Sequence, residues 1–203
     1  MRSDLPIIVL AAGQSSRMRG HDKLLEEVDG LPLVRRQALL ARGATDGPVI
    51  VALPPEPHAR YGALAGLDIT LLPVPDAAEG MGVSLARAFA ALPEHTKAAM
   101  LLLGDLPELL MEDLTNLLQA VDTNSEILVW RGTTEDGKPG HPIVFAATLF
   151  PALRALSGDD GGRAVVASAG DRVMLVPLPG QRARRDLDTP EDWAAWRAEQ
   201  PTP

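Results

Sequence analysis

The strongest constraint on the fold is a repeated alternation, along the whole chain, of short β-branched runs with helix-like segments. Residues 6–10 (PIIVL), 48–53 (PVIVAL) and 68–72 (DITLL) have strand length, and each is bounded by Gly, Pro or Asp, as buried strands usually are. Between them, 32–42 begins with Pro32 at a first helical position and stops at Gly43, and 57–64 carries a weaker helical pattern. Strands that alternate with helices are joined by crossovers rather than hairpins, which produces a parallel sheet. The pattern continues with a helix at 81–92, a strand at 98–103 and a helix at 111–121 whose apolar positions are Met111, Leu114, Leu117, Leu118 and Val121. Strands at 127–130 and 142–145, a helix at 148–156, a Gly/Asp-rich loop at 157–162, a short helix and a strand at 173–178 follow. The last helix starts at Pro190, with Thr189 as its N-cap and Asp192 three residues after the cap. No internal repeat or long linker interrupts the pattern. The expectation is one α/β domain over 1–203, with 199–203 a disordered tail.

Composition narrows the function. Apolar residues fall in runs far shorter than the roughly 18 needed to cross a bilayer, so a membrane protein is excluded, and the first residues are not read as a cleaved signal. The absence of cysteine removes disulfides, thiolate metal sites, iron–sulfur clusters and a cysteine nucleophile, as expected of a chain in the reducing cytoplasm. A net charge of −8, with no basic cluster interleaved with aromatics, argues against nucleic-acid binding. A small anionic ligand stays allowed where cations converge locally.

In α/β sheets ligands collect outside the carboxyl ends of the strands. The loop after the first strand, from Leu10 to Leu24, combines small residues (Ala11, Ala12, Gly13), hydroxyls (Ser15, Ser16) and cations (Arg17, Arg19, Lys23). Such a loop suits a polyphosphate, although it is neither a Walker A sequence nor G-x-G-x-x-G; its plain alternative is a surface turn with solvated cations. The apolar run 98–103 ends in Gly104-Asp105-Leu106-Pro107, where Asp105 either caps a turn or holds Mg²⁺, an ion that takes few carboxylates plus phosphate oxygens. Near the C-terminus, Asp186-Leu187-Asp188-Thr189-Pro190 offers a second carboxylate, with helix capping as the alternative. Gly80-Met81-Gly82-Val83-Ser84 places a hydroxyl at a helix start whose free N–H groups attract anions. His141, between Gly140 and Pro142, and the Gly158-Asp159-Asp160-Gly161-Gly162-Arg163 string complete the chemistry-bearing segments.

Leu10-Ala11-Ala12-Gly13, Ser15, Arg17-Met18 and then Lys23-Leu24-Leu25 resemble the signature loop of nucleotidyltransferases that activate molybdenum cofactor, sugar phosphates and related phosphorylated acceptors. The resemblance implies a three-layer, modified Rossmann-like nucleotidyltransferase fold with a mostly parallel sheet. It implies that residues 10–13 and Ser15 wrap a nucleoside triphosphate, that Arg17 and Lys23 act on its phosphates, and that Asp105 ligates Mg²⁺ and serves catalysis with them. By the same resemblance Asp188 approaches the metal or the acceptor, and Ser84 contacts the nucleotide. One departure is Arg19, which stands where the family usually has Gly. Gly-His-Pro at 140–142 together with the Asp159 to Arg163 string resembles the molybdenum cofactor cytidylyltransferase branch, and implies that His141, Asp159 and Arg163 lie near a pterin-phosphate acceptor. Ala12 points the same way, because the guanylyl branch usually carries Gly there and the extra methyl leaves less room for a purine. The expected activity is transfer of CMP from CTP to molybdenum-bound molybdopterin, with a recipient molybdenum enzyme as a further partner. A guanylyl- or other nucleotidyltransferase, and a non-catalytic cofactor-delivery protein, are the alternatives.

Overall fold

The computed structural model describes residues 2–200. In chain order the elements are β1 (Ile7–Leu10), β2 (Glu27–Val28), β3 (Leu31–Pro32), α1 (Leu33–Ala44), β4 (Val49–Leu53), α2 (Ala59–Ala63) and β5 (Thr70–Pro73). They continue through α3 (Met81–Ala90), β6 (Ala98–Leu103), α4 (Met111–Gln119), β7 (Val129–Thr133) and β8 (Pro139–Ala146). The last are α5 (Phe150–Arg154), α6 (Arg163–Ser168), β9 (Val173–Pro177) and α7 (Pro190–Glu199). Seven strands form one sheet in the order β5-β4-β1-β6-β8-β7-β9. Neighbours pair in parallel except around β8, which runs antiparallel to both β6 and β7.

The alternation of side chains along each central strand sorts the core into two layers. Ile7 and Val9 of β1, with Val49, Val51, Met100 and Leu102, pack under α1, α4 and α7. Ile8, Ile50, Ala99 and Leu101 face the other way, under α3, α5 and α6. Helices on both faces make the three layers that the resemblance implies, and they explain why β1, β4 and β6 read as unbroken apolar runs. Each fully buried Ile, Val or Leu contributes roughly 1.5–3 kcal/mol, so the central strands form the most strongly held part of the molecule.

From β1 the chain crosses to β4 and β5 on one side, then returns past β1 to place β6 on the other. That reversal opens a crevice at the carboxyl ends of β1 and β6. The loops entering it are the two that carry Arg17 and Lys23, and Asp105.

Three expectations change. The β2–β3 ribbon, paired Glu27 with Pro32 and Val28 with Leu31, lies where the sequence pattern assigned no element before Pro32, and Pro32, expected as the first helical residue, ends β3 instead. The ribbon's turn is Asp29-Gly30, both at positive φ (54° and 75°), the conformation that two-residue hairpins demand. The 148–156 helix is instead a 3₁₀ turn, Ala147–Leu149, followed by α5. Of the residues expected to form a tail, Glu199 instead closes α7 and pairs with Arg185 and Gln200 caps the helix, while 201–203 lie outside the described residues. Among the described residues no helix is long and apolar enough to cross a membrane.

Candidate active site

The loop after β1 is shaped by a buried ion pair that the sequence did not announce. The Arg60 side chain, on α2, is 1% exposed and grips Asp22 twice, with Nε to Oδ2 at 2.7 Å and Nη2 to Oδ1 at 2.6 Å. The same guanidinium donates to the carbonyl of Ala11 and to Ser15 Oγ. Burial works against the Asp22 charge, but hydrogen bonds and charge from Arg60 hold its carboxyl below the ordinary value. Asp22 also accepts from the Leu24 N–H at 3.0 Å, and Ser15 Oγ from the Lys23 N–H at 3.2 Å. Two ends of a flexible loop are thereby tied to one arginine, which fixes where Lys23 starts.

Ser15 and Ala11 consequently do other work than line a binding surface. The Ser15 hydroxyl is taken up by Asp22, Arg60 and the Lys23 N–H. Ala11 is buried, donates its N–H to Ala52 O at 2.9 Å and gives its carbonyl to Arg60. Arg19 adopts the left-handed conformation, φ 53°, that favours glycine, and its side chain pairs with Glu191 at 2.8 Å. The extra cation is therefore directed at the C-terminal segment.

Lys23 is the centre of the crevice. Its Nζ lies 2.6 Å from Asp105 Oδ2 and 2.6 Å from Asp188 Oδ1. Asp188 in turn pairs with Arg17 through its other oxygen. Burial pulls the Lys23 pKa down, yet Asp105 and Asp188 outweigh it and raise the value, so the ammonium is firmly charged. Burial likewise opposes the Asp188 charge, which Lys23 and Arg17 stabilise, leaving its carboxyl lower than usual. Asp186 behaves oppositely: burial first, then the fields of Asp105 and Asp188, raise its pKa. The three aspartates offer oxygens within 4.8 Å of one another, and Asp105 Oδ1 is buried without a hydrogen-bond partner.

Local structure explains how these carboxylates arrive. Gly104 donates its N–H to Leu10 O at 2.9 Å, and a Cβ there would stand 2.8 Å from that oxygen. Only glycine lets the β6 loop close on the β1 loop so tightly. At α7, Thr189 and Asp192 cap the helix reciprocally, with Thr189 Oγ1 accepting from Asp192 N at 3.1 Å. Capping falls to those two residues, and Asp188 is left to face Lys23. Asp105 caps no turn; its bond is to Lys23.

Two adjoining cavities, which share lining residues, flank the aspartates. One of about 310 Å³ is lined by Leu10, Ala12, Gly13 and Ser84, and another of about 800 Å³ by Arg17, His141 and Arg163; Lys23, Asp105 and Asp159 border both. Ala11 and Ser15 border neither. The expected free N–H at the start of α3 is partly spent, because Gly82 donates to Gly158 O at 2.8 Å. That contact folds the Asp159 loop over the crevice, and Gly80, φ 129°, permits it: a Cβ there would lie 2.3 Å from the Gly158 backbone. His141 is a neutral imidazole at physiological pH, its pKa lowered to about 4 by burial and by Arg131, and its Nδ1 has no partner. Sequence reasoning missed Asp22 and Arg60, whose contact spans 38 residues and leaves no local pattern, and it favoured Asp188 over the adjacent Asp186.

The family profile of the MobA-like NTP transferase domain matches residues 7–173. A protein of Synechococcus elongatus named probable molybdenum cofactor guanylyltransferase is 32% identical over 196 residues, covering 92% of this chain and 95% of the relative. The solved structure of Rv0371c from Mycobacterium tuberculosis is 26% identical, covers 98% of this chain and 100% of that one, and superposes with a TM-score of 0.81. Its complex with manganese, at 25% identity over 98% of this chain and 100% of that one, gives 0.79. The matched span runs from β1 through the first residue of β9 and takes in both loops that meet at the sheet reversal. The chain belongs to the MobA-like NTP transferase domain family.

Proposed function

We propose that the chain is a cytidylyltransferase that moves CMP from CTP to molybdenum-bound molybdopterin, releasing pyrophosphate. The observation that carries this reading is the convergence of Lys23, Arg17, Asp105 and Asp188 at one mouth, although Lys23 and Asp188 are 165 residues apart. Lys23 and Arg17 balance the charge of the triphosphate. The acceptor's phosphate oxygen attacks the α-phosphorus in line, the bond to the β-phosphate oxygen breaks, and pyrophosphate leaves with that electron pair. The protein forms no covalent bond; it contributes positioning and charge neutralisation.

Mg²⁺ fits the aspartate cluster: three carboxylates offer oxygens within 4.8 Å, and Asp105 Oδ1 is buried and unpartnered. When bound there, the ion supplies Lewis-acid neutralisation of phosphate oxygens. Rv0371c, 25% identical, forms a complex with manganese, and that relative's taking a divalent ion supports the reading that this chain uses one. The smaller cavity takes base and ribose against Leu10, Gly13 and Ser84, and the larger one takes the acceptor beside His141, Asp159 and Arg163.

CTP is favoured by Ala12. Its methyl borders the smaller cavity, is only 3% exposed and is locked among buried side chains, so it cannot move aside for a purine. A guanylyl reading is favoured instead by relatives such as the Synechococcus protein, which is named a probable molybdenum cofactor guanylyltransferase. Pyrophosphate release by purified protein with Mg²⁺, molybdenum-loaded molybdopterin and each of CTP, GTP, ATP and UTP decides between them. Release with CTP alone is expected, with the preference relaxing toward GTP in Ala12→Gly; preference for GTP in the unaltered protein overturns the base assignment, and no release with any nucleotide overturns the activity.

A further inference from the structure

Most arginines among the described residues meet a carboxylate, including Arg17, Arg19, Arg36, Arg60, Arg87 and Arg182. Arg131, Arg163 and Arg184 meet none, and all three line the 800 Å³ cavity. They come from separate elements. Arg131 sits in the middle of β7 and spends only its Nε, on Gly140 O at 2.9 Å. Arg163 opens α6, and Arg184 follows Ala183, whose carbonyl accepts the His141 N–H at 2.7 Å. Burial and then the positive fields of Arg184 and Arg163 push the Arg131 pKa down, so these groups act on one another as like charges.

The acids that line the same cavity do not cancel this arrangement. Asp105 and Asp188 are engaged by Lys23 and Arg17, and Asp159, Asp160 and Asp186, which also line it, form no ion pair with Arg131, Arg163 or Arg184. In a chain of net charge −8, three cations left facing one hollow without counter-ions are the form a site for a polyanion takes. Arginine's fork of N–H donors matches phosphate oxygens in pairs.

The identity of that anion rests on the proposed reaction, in which two anions must approach each other. Lys23 and Arg17 attend to the nucleotide, which leaves the charge of the second reactant unbalanced. We propose that Arg131, Arg163 and Arg184 together form the subsite for the acceptor's phosphomonoester, with Arg131 and Arg184 as binding residues that the sequence motifs do not contain.

The test uses inorganic phosphate as the probe, titrated into the full-length protein and followed by calorimetry. Arg184→Gln, at an exposed position, and Arg131→Gln are each expected to weaken phosphate binding about 10-fold or more, since a charge-assisted hydrogen bond to phosphate is lost. Arg131→Lys keeps the charge and is expected to recover part of it. If Arg131→Gln does not fold, Arg184→Gln decides alone. Phosphate affinity within about twofold of the parent in a folded Arg184→Gln protein, or no millimolar phosphate binding by the parent, overturns the subsite. A kinetic arm adds that Arg184→Gln raises the acceptor KM at least about 10-fold while the CTP KM holds; a rise in the CTP KM alone overturns it as well. Should no nucleotide support pyrophosphate release, the proposed reaction fails while the phosphate titration still judges the three arginines.

Discussion

Replacing Arg60 with Met tests whether the loop after β1 is held by one buried ion pair. The side chain is 1% exposed and Asp22 is 17% exposed, so the substitution leaves a largely desolvated carboxylate without its partner. Breaking a buried pair by removing one member costs about 3–5 kcal/mol. Partial access of water to Asp22 places the expectation at the lower end, about 3 kcal/mol, read as a shift in the urea midpoint at unchanged slope. The acid dependence gives a second reading. Asp22 has a lowered pKa in the folded protein, so its stabilisation is present above the unfolded carboxylate value near 4 and disappears as the pH falls through the lower folded value. In Arg60→Met that acid-sensitive contribution vanishes. The double variant Asp22→Asn/Arg60→Met removes the stranded charge and is expected to be at least as stable as Arg60→Met, giving a coupling energy above about 1.5 kcal/mol. A single variant within about 1 kcal/mol of the parent, or additive effects in the cycle, refutes the staple.

Asp105→Asn is expected to lower kcat by about 10²–10³ with the nucleotide KM changed much less, measured by pyrophosphate release across a Mg²⁺ titration; unchanged kcat at saturating Mg²⁺ contradicts the assignment. His141, with a folded pKa of about 4 against roughly 6.5 unfolded, makes the unfolded state the better proton binder, so stability falls as the pH drops from about 6.5 to 4, by roughly 3 kcal/mol at most. His141→Asn is expected to flatten that stretch of the stability–pH curve, and an unchanged slope argues against the buried neutral imidazole. Arg19→Gly relieves a left-handed residue at φ 53° and gives up only an exposed pair with Glu191, so thermal unfolding should show a gain of about 0.5–1 kcal/mol; a loss shows that the pair outweighs the strain.

The central sheet was legible because β1, β4 and β6 are covered on both faces and leave unbroken apolar runs between turn residues; 98–103 matches β6 end to end. The hairpin at 27–32 was legible too, in Asp29-Gly30, but strands of two residues carry no alternation to draw attention to it. Lys23, Arg17, Asp105 and Asp188 could be picked out because each follows a strand or precedes a helix in a recognisable string. Arg60 and Arg131 could not. One lies in a weak helix and the other in mid-strand, and their chemistry exists only after tertiary folding carries them to Asp22 and to the cavity wall. Ala11 and Ser15 sit inside the right string but support the loop from beneath, a distinction that spacing alone does not encode.

Asp188 follows all seven strands of the sheet in chain order, 165 residues after Lys23, yet it supplies one of the two anchors of Lys23. During synthesis the amino-terminal half emerges and begins to fold while that anchor is still inside the ribosomal tunnel. A nascent chain can thus assemble all seven strands of the scaffold before Lys23 meets its second carboxylate.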